Sequence, residues 1–345
     1  MAMPPADPWP LGINTYCLRF QKWTDRQLID WCVGQKLDAI FLQDSLDKGA
    51  LDPAHWSEVR RWVGDAKLHI ETGGGAILPK TQEAYAPTVA TLRKNIERAK
   101  AVGSPIVRAL LASDRRGMPP GPVEMHMETT IRILREVKSQ VKDAGVKIAI
   151  ENHKELQAWE TRQLIETAGK DFVGSYLDTG NPVFVFEDPM TTVEELAPLA
   201  VTFHLRDSVV YEVPEGVAVQ WVPLGEGTPD FKKIVARARD LMQPNVYIYC
   251  KPITARPPVV LPLTSTGKDG QEWWELFPRA RAKDMSRFLA LAKKGRPYEK
   301  AMVVEDVPGR PEAYTEALKF QQIEHMERSL AYCRKELGLG VRWRS

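Results

Sequence analysis

Short apolar runs alternate along this chain with stretches in which hydrophobic residues recur every three or four positions. The runs are LGINTYCLRF (11–20), DAIFLQD (38–44), LHIETGGG (68–75), SPIVRALLAS (104–113), VKIAIENH (146–153), FVGSYLDTGN (172–181), VTFHLRDS (201–208) and NVYIYCKP (245–252), and each reads as a β-strand. Helical spacing fills the intervals. TDRQLIDWCVGQK follows the first run with Thr24 placed to cap it, a second helix runs from about Pro53 to Lys67, and Val89, Leu92, Ile96 and Ala99 share one helical face, as do Ile131, Leu134, Val137 and Val141. Eight strands, each followed by a helix, is the count of a (β/α)8 TIM barrel. An open doubly wound sheet is disfavoured because no GxGxxG follows the first strand.

The pattern predicts a single barrel domain over 1–345, with the barrel at about 11–295 and a C-terminal helical extension at about 296–345. Its last helix, Pro311 to Leu337, sets Phe320, Ile323, Met326, Leu330 and Cys333 on one face, to pack outside the barrel or against a partner subunit, as in a homo-oligomer. Two connections exceed the usual few residues. One runs from Val209 to Thr228 and the other from Thr254 to about Gly270. Both follow strand C-termini, where a barrel keeps its active site, so both are candidate lids. Trp221, Trp273 and Trp274 are available to wall a sugar face or to pack the loops. The first connection leads into PLGEGTPDF (223–231), read as a tight turn and a helix start with Thr228 as N-cap and Pro229 at the first helical position.

Composition narrows the function classes. Of 345 residues, 43% are hydrophobic and 27% charged, which is ordinary for a globular protein with a sizeable core. The 47 basic and 45 acidic residues nearly balance, which argues against a nucleic-acid groove. The four cysteines form no CxxC pair, so free thiols in a reducing cytosol are expected. No apolar run of about 18 residues suggests a membrane span, and MAMPPADPWP has neither the basic nor the apolar region of a signal peptide. The expectation is a cytoplasmic protein.

The chemistry concentrates at three strand ends: IENH (150–153), LDTGN (177–181) and FHLRD (203–207). Singly, each is ordinary. A glutamate there pairs with a cation, Asp-Thr-Gly-Asn makes a turn, and a lone histidine is structural more often than not. Together, Glu151, Asp178 and His204 lie 27 and 26 residues apart, the length of one strand plus one helix. Three such side chains at neighbouring strand ends would converge on a divalent metal with open positions for substrate oxygens.

The order IENH, LDTGN, FHLRD, PLGEGTPDF, down to ERSLAYCRKELGL (327–339), resembles the xylose isomerase-like barrel superfamily, and within it the sugar phosphate isomerase/epimerase branch. The resemblance implies a divalent ion, manganese, magnesium or zinc, bound by Glu, Asp, His and a second Glu. Glu151, Asp178 and His204 match the first three positions. The fourth departs: YIYCKPITARPP puts Lys251 there, or Cys250 if the register slips by one. An ammonium about 4 Å from a divalent ion is repelled by roughly 8 kcal/mol at an effective dielectric near 20. Lys251 must therefore swing away, be neutral and serve as a base, or stand where a metal is absent, while a Cys250 thiolate would favour zinc.

The remaining candidates are His153 for a substrate hydroxyl or a proton relay, Glu71 to orient substrate or pair with Arg108, and Arg108 itself for a substrate oxyanion. Asn181 and Arg206 are candidates for hydroxyls or a carboxylate, Asp207 for orienting His204, and Asn14 and Tyr16 follow behind. The resemblance implies a small-molecule carbohydrate substrate and isomerase or epimerase chemistry. A proton next to a carbonyl is removed, with Glu151, His153 or Lys251 as the acid–base groups. Two rival readings stand beside it. One is a lyase that uses the same enolate to eliminate a group from an inosose or a 3-oxo-glycoside. The other is a non-catalytic sugar-binding or subunit role, motivated by the altered fourth ligand.

Overall fold

The computed structural model describes residues 8–43, 52–263, 273–305 and 307–344. The side chains of Trp273 and Trp274, and residues 264–272 of the second candidate lid, lie outside the described residues. Seven strands form in the predicted order: β1 (Leu11–Asn14), β2 (Ala39–Leu42), β3 (His69–Thr72), β4 (Ile106–Ala109), β5 (Lys147–Glu151), β6 (Val173–Asp178) and β7 (Ala200–Leu205). A hairpin, β8 (Asp207–Val213) and β9 (Gly216–Val222), precedes the last barrel strand, β10 (Ile248–Cys250). The order β1-β10-β7-β6-β5-β4-β3-β2 closes on itself, and Leu11 pairs with Ile248 at the seam. Every barrel pair is parallel, so the chain folds as a (β/α)8 TIM barrel. The strands are buried on both faces, which is why they read as continuous apolar runs and not as alternations.

Local sequence sets the helix boundaries. Thr24 and Gln27 form a reciprocal capping box ahead of the helix Asp25–Gly34. Asp52 caps Pro53–Asp65, with proline at the position where its missing N–H costs nothing. Farther on, Asp230 and not Thr228 caps Phe231–Leu241, accepting from Lys233 N at 3.2 Å. Thr228 instead faces back to Val210, whose N–H donates to its Oγ1 at 2.9 Å.

The connection expected as a long loop after β7 is the β8–β9 hairpin, and β11 (Val259–Pro262) joins β9 to make a three-stranded antiparallel sheet at the C-terminal end of the barrel. Gly216 turns the hairpin at φ 154°, and a Cβ there would stand 2.2 Å from the Leu261 carbonyl oxygen. The C-terminal helix Glu312–Lys335 packs outside the barrel through Leu318, Met326, Leu330 and Cys333. Phe320, expected on that face, is 75% exposed and points away from it. The chain end is tied back by Asp38, whose carboxylate accepts from Leu11 N at 2.8 Å and from Val341 N and Arg342 N at 2.9 Å.

The loop after β5 is held from below by Glu187. Both of its oxygens accept from Ala158 N, at 3.0 Å each, at the start of the helix Ala158–Ala168. Burial pushes the Glu187 pKa from 4.5 up to about 8. The folded chain therefore holds this proton more tightly than the unfolded chain does. The stability this contributes is fully present below pH 4.5 and is lost as pH rises toward 8. Glu187→Gln is expected to flatten the fall in the urea midpoint between those limits. That slope is at most about 1.4 kcal/mol per pH unit for one proton. An unchanged slope in the variant would assign it to other groups.

Candidate active site

Inside the barrel, alternate residues of each strand point to the axis. Phe41, Tyr176, His204 and Tyr249 form an aromatic layer across it. His204 stacks on Tyr176 at 3.8 Å and on Tyr249 at 4.7 Å between ring centres, with Phe41 edge-on at 4.9 Å. Directly above lies a cluster of charge. The Lys251 ammonium sits 2.9 Å from Glu151 Oε1 and 2.9 Å from Asp178 Oδ2 and 4.9 Å above the Tyr176 ring centre. Arg108 Nε donates to Glu151 Oε2, and its Nη1 donates to the Gly74 carbonyl at 2.6 Å. Arg206 Nη2 lies 2.8 Å from Asp178 Oδ1 and donates to Asn181 Oδ1 at 2.7 Å, and Asn181 Nδ2 closes the network on Glu151 Oε1 at 3.2 Å.

Backbone geometry builds this network. Asn152 exchanges two side-chain hydrogen bonds with the Asp178 backbone, at 2.8 and 2.9 Å, so the ends of β5 and β6 are locked in register. Asp178 Oδ1 also accepts from Gly180 N and Asn181 N, at 2.8 and 3.1 Å. A Cβ on Gly180 would fall 2.5 Å from Arg206 Cγ, so glycine there lets the arginine lie across the turn. Burial alone would raise both acidic pKa values. Arg108 and Lys251 nonetheless hold the Glu151 carboxyl well below its usual range, and Arg206 and Lys251 lower Asp178.

A cavity of about 630 Å³ opens above the cluster, and Arg108, His153, Arg206 and Lys251 line it. His153 Nδ1 donates to the Ser113 carbonyl at 2.5 Å, which leaves Nε2 as the acceptor nitrogen, without a protein partner among the described residues. Burial lowers the His153 pKa to about 3, so the imidazole is neutral. Trp221 forms one wall. Its Nε1 donates to the Gly180 carbonyl at 2.7 Å, and its ring lies 4.3 Å from the Arg206 guanidinium. Three further lining residues, Lys154, Gln220 and Arg256, were not among the sequence candidates, although two of them adjoin motifs that were.

Several expectations are corrected. The three-ligand face of Glu151, Asp178 and His204 does not form. His204 lies in the aromatic layer with Nε2 at 3.1 Å from Thr202 Oγ1 and Nδ1 without a hydrogen-bond partner among the described residues. Burial, and then the Lys251 charge, pushes its pKa well down. Among the described residues no group of three His, Cys, Asp or Glu side chains could hold a metal ion. The donors fit a divalent ion poorly because an ammonium already bridges the two carboxylates and guanidinium groups take their other oxygens. Glu71 stands lower than expected. It pairs with Phe41 in register, lies 3.2 Å from His69 Nε2 and is absent from the upper cavity. Arg108 accordingly pairs with Glu151 and not with Glu71. Asp207 does not orient His204. It accepts from Gly225 N at 2.9 Å and Gly227 N at 3.0 Å and so fixes the turn before Phe231. Cys250 is buried on the outer side of β10 toward Cys333, away from the cavity. Asn14 Nδ2 donates to Tyr176 Oη at 3.2 Å, and Tyr16 reaches the cavity rim.

A xylose isomerase-like TIM barrel family model matches residues 37–275, and the chain belongs to that family. A curated relative, the uncharacterized protein YihM of Escherichia coli strain K12, is 23% identical over 99 residues, a match that spans 29% of this chain and 30% of that protein's length. Among solved structures, a D-psicose 3-epimerase in the presence of D-fructose superposes with a TM-score of 0.61 at 15% identity, covering 95% of this chain and 99% of that one. An IolI protein with a bound zinc atom gives 0.59 at 12% identity, covering 84% and 99%. A xylose isomerase-like TIM barrel protein from Mycobacterium smegmatis in complex with magnesium gives 0.58 at 16% identity, covering 84% and 98%. At these identities the likeness is one of fold. Zinc and magnesium are thus bound by two proteins of this fold.

Proposed function

We propose that this chain is a proton-transfer isomerase or epimerase acting on a carbohydrate that carries a carbonyl group. The observation that supports it most is a neutral imidazole with an open Nε2 in the same cavity as three cations that rest on two buried carboxylates. Arg108, Lys251 and Arg206 carry three positive charges against the two negative charges of Glu151 and Asp178, so the cluster has a net charge of one positive. A carbonyl oxygen and its neighbouring hydroxyl placed on that floor would have their developing negative charge stabilised by groups that need not reorganise. The adjacent C–H is acidified, His153 Nε2 takes the proton, and the charge moves onto the oxygen facing Lys251. Return of the proton from His153 to the former carbonyl carbon, with the hydroxyl proton passing to the former carbonyl oxygen, gives an isomer. Delivery from the opposite face, with the Lys251 ammonium as donor, gives an epimer, and the His153 imidazolium then returns its proton to Lys251 through solvent. Glu151 is a poor base here because both of its oxygens are engaged.

The test is proton exchange in heavy water, followed by NMR, with a panel of ketoses, inososes and 3-oxo-glycosides. Loss of the C–H signal next to the carbonyl, with an isomer or epimer accumulating, is the expected result. Exchange accompanied by release of a leaving group would make the chain a lyase. No exchange with any member of the panel would sink the catalytic reading and leave a binding role.

A further inference from the structure

The upper cavity is lined by five cationic side chains, Arg108, Lys154, Arg206, Lys251 and Arg256, and by no aspartate or glutamate. Arg108, Arg206 and Lys251 rest on Glu151 and Asp178 beneath them. Arg256 bridges to Glu305, a carboxylate that also takes Arg19 at 2.7 Å. Lys154 differs from these, because it forms no salt bridge among the described residues. Its ammonium stands 5.6 Å from the Phe184 ring centre and 5.9 Å from that of Trp221, two rings that meet at 5.0 Å. Burial lowers the Lys154 pKa. The Asp114 carboxylate opposes that shift, and the like charges of Arg206 and Arg256 add to it, so three positive charges crowd one corner of the mouth. The backbone there is strained as well: Ala255, next to Arg256, is held at φ 69°. A half-buried ammonium that forms no salt bridge among the described residues, rests on two ring faces and has Arg206 and Arg256 nearby is under-compensated by the Asp114 carboxylate alone, and a bound anion would supply the missing counter-charge.

We propose that the substrate carries a fixed anionic group, a carboxylate or a phosphate ester, and that Lys154, with Arg256, holds this group against the Trp221 wall while the carbonyl end lies on the Lys251 floor. This rests on the isomerase or epimerase reading for the carbonyl end, but the anion corner can be tested alone. D-fructose, the sugar named with one structural neighbour, is uncharged, so a charged substrate would set this chain apart.

The experiment is calorimetric binding to the full chain of three probes: D-fructose, D-fructose 6-phosphate and D-fructuronate. At low salt one of the two charged probes is expected to bind at least tenfold tighter than D-fructose, and the tighter one identifies the anion. Lys154→Met, which keeps the aliphatic stem over Phe184 and Trp221, should remove most of that advantage and leave D-fructose binding unchanged. Lys154→Arg should restore it, and added salt should weaken only the charged probes. Equal affinity for all three probes, no measurable binding of any, or an equal loss for charged and neutral probes in Lys154→Met would each overturn the proposal. Binding and proton exchange report separately. Anion preference without exchange keeps this inference and rejects the isomerase reading, and exchange without anion preference does the reverse.

Discussion

Lys251→Met should lower turnover by about a hundred- to a thousandfold, and Lys251→Glu should convert a chain indifferent to metal into one that binds manganese. The first effect follows from the place of the ammonium. Among the described residues it is the cation that bridges Glu151 and Asp178, at 2.9 Å each, and it lines the cavity where an enolate oxygen would form. Loss of a single preorganised donor to such an oxygen costs about a hundred- to a thousandfold in rate. Methionine also leaves two buried carboxylates without their shared cation, and breaking a buried pair costs about 3–5 kcal/mol. The melting temperature should therefore fall alongside turnover.

Lys251→Glu separates charge from packing. A third carboxylate in this place is destabilising without a counterion. Added manganese should raise the variant's melting temperature and be detected as bound by electron paramagnetic resonance. The natural chain should show neither effect, and a chelator should leave its activity intact. Stoichiometric metal in the purified natural chain, or activity lost to a chelator and restored by manganese, would show that the ammonium does not replace the ion.

How the strand ends were legible explains what was not. Period and length placed Glu151, Asp178 and Lys251 at the mouth, because an apolar run that ends in a polar residue marks where the chain leaves the core. The period of two reports which face a side chain takes but not its height along the axis. Glu71 and His204 both point inward, yet both sit one layer below the charge cluster, and only the stagger of the closed barrel sets that layer. The β8–β9 hairpin was visible in principle: Val217, Val219 and Trp221 alternate after a Pro-Glu-Gly turn. Its position after a strand C-terminus equally suits a lid, so the alternation alone does not decide between the two. The bridging of two carboxylates by one lysine lay beyond pattern altogether, since it depends on distances between strands 100 and 73 residues apart in sequence. The altered fourth ligand was the one local sign of it.

His153→Gln is expected to reduce kcat by about a hundred- to ten-thousandfold, the usual range for a positioned acid–base group, with a smaller change in KM. Glutamine is polar and of similar reach, but its amide cannot accept a proton at neutral pH. The Ser113 carbonyl fixes the natural imidazole with its proton on Nδ1, and Glu155 Oε2 stands 3.9 Å from the same nitrogen, so the ring presents one defined acceptor to the cavity. If that acceptor starts the reaction, heavy-water exchange should fall in step with kcat, because both need the same proton to leave carbon. A substrate analogue without an exchangeable proton should bind the variant as it binds the natural chain. A variant that still exchanges the proton at the natural rate but makes no product would place His153 after the carbanion, as the acid that completes the reaction. Unchanged kcat and exchange together would remove it from the mechanism and return the base role to Lys251, the remaining acid–base candidate at the cavity floor.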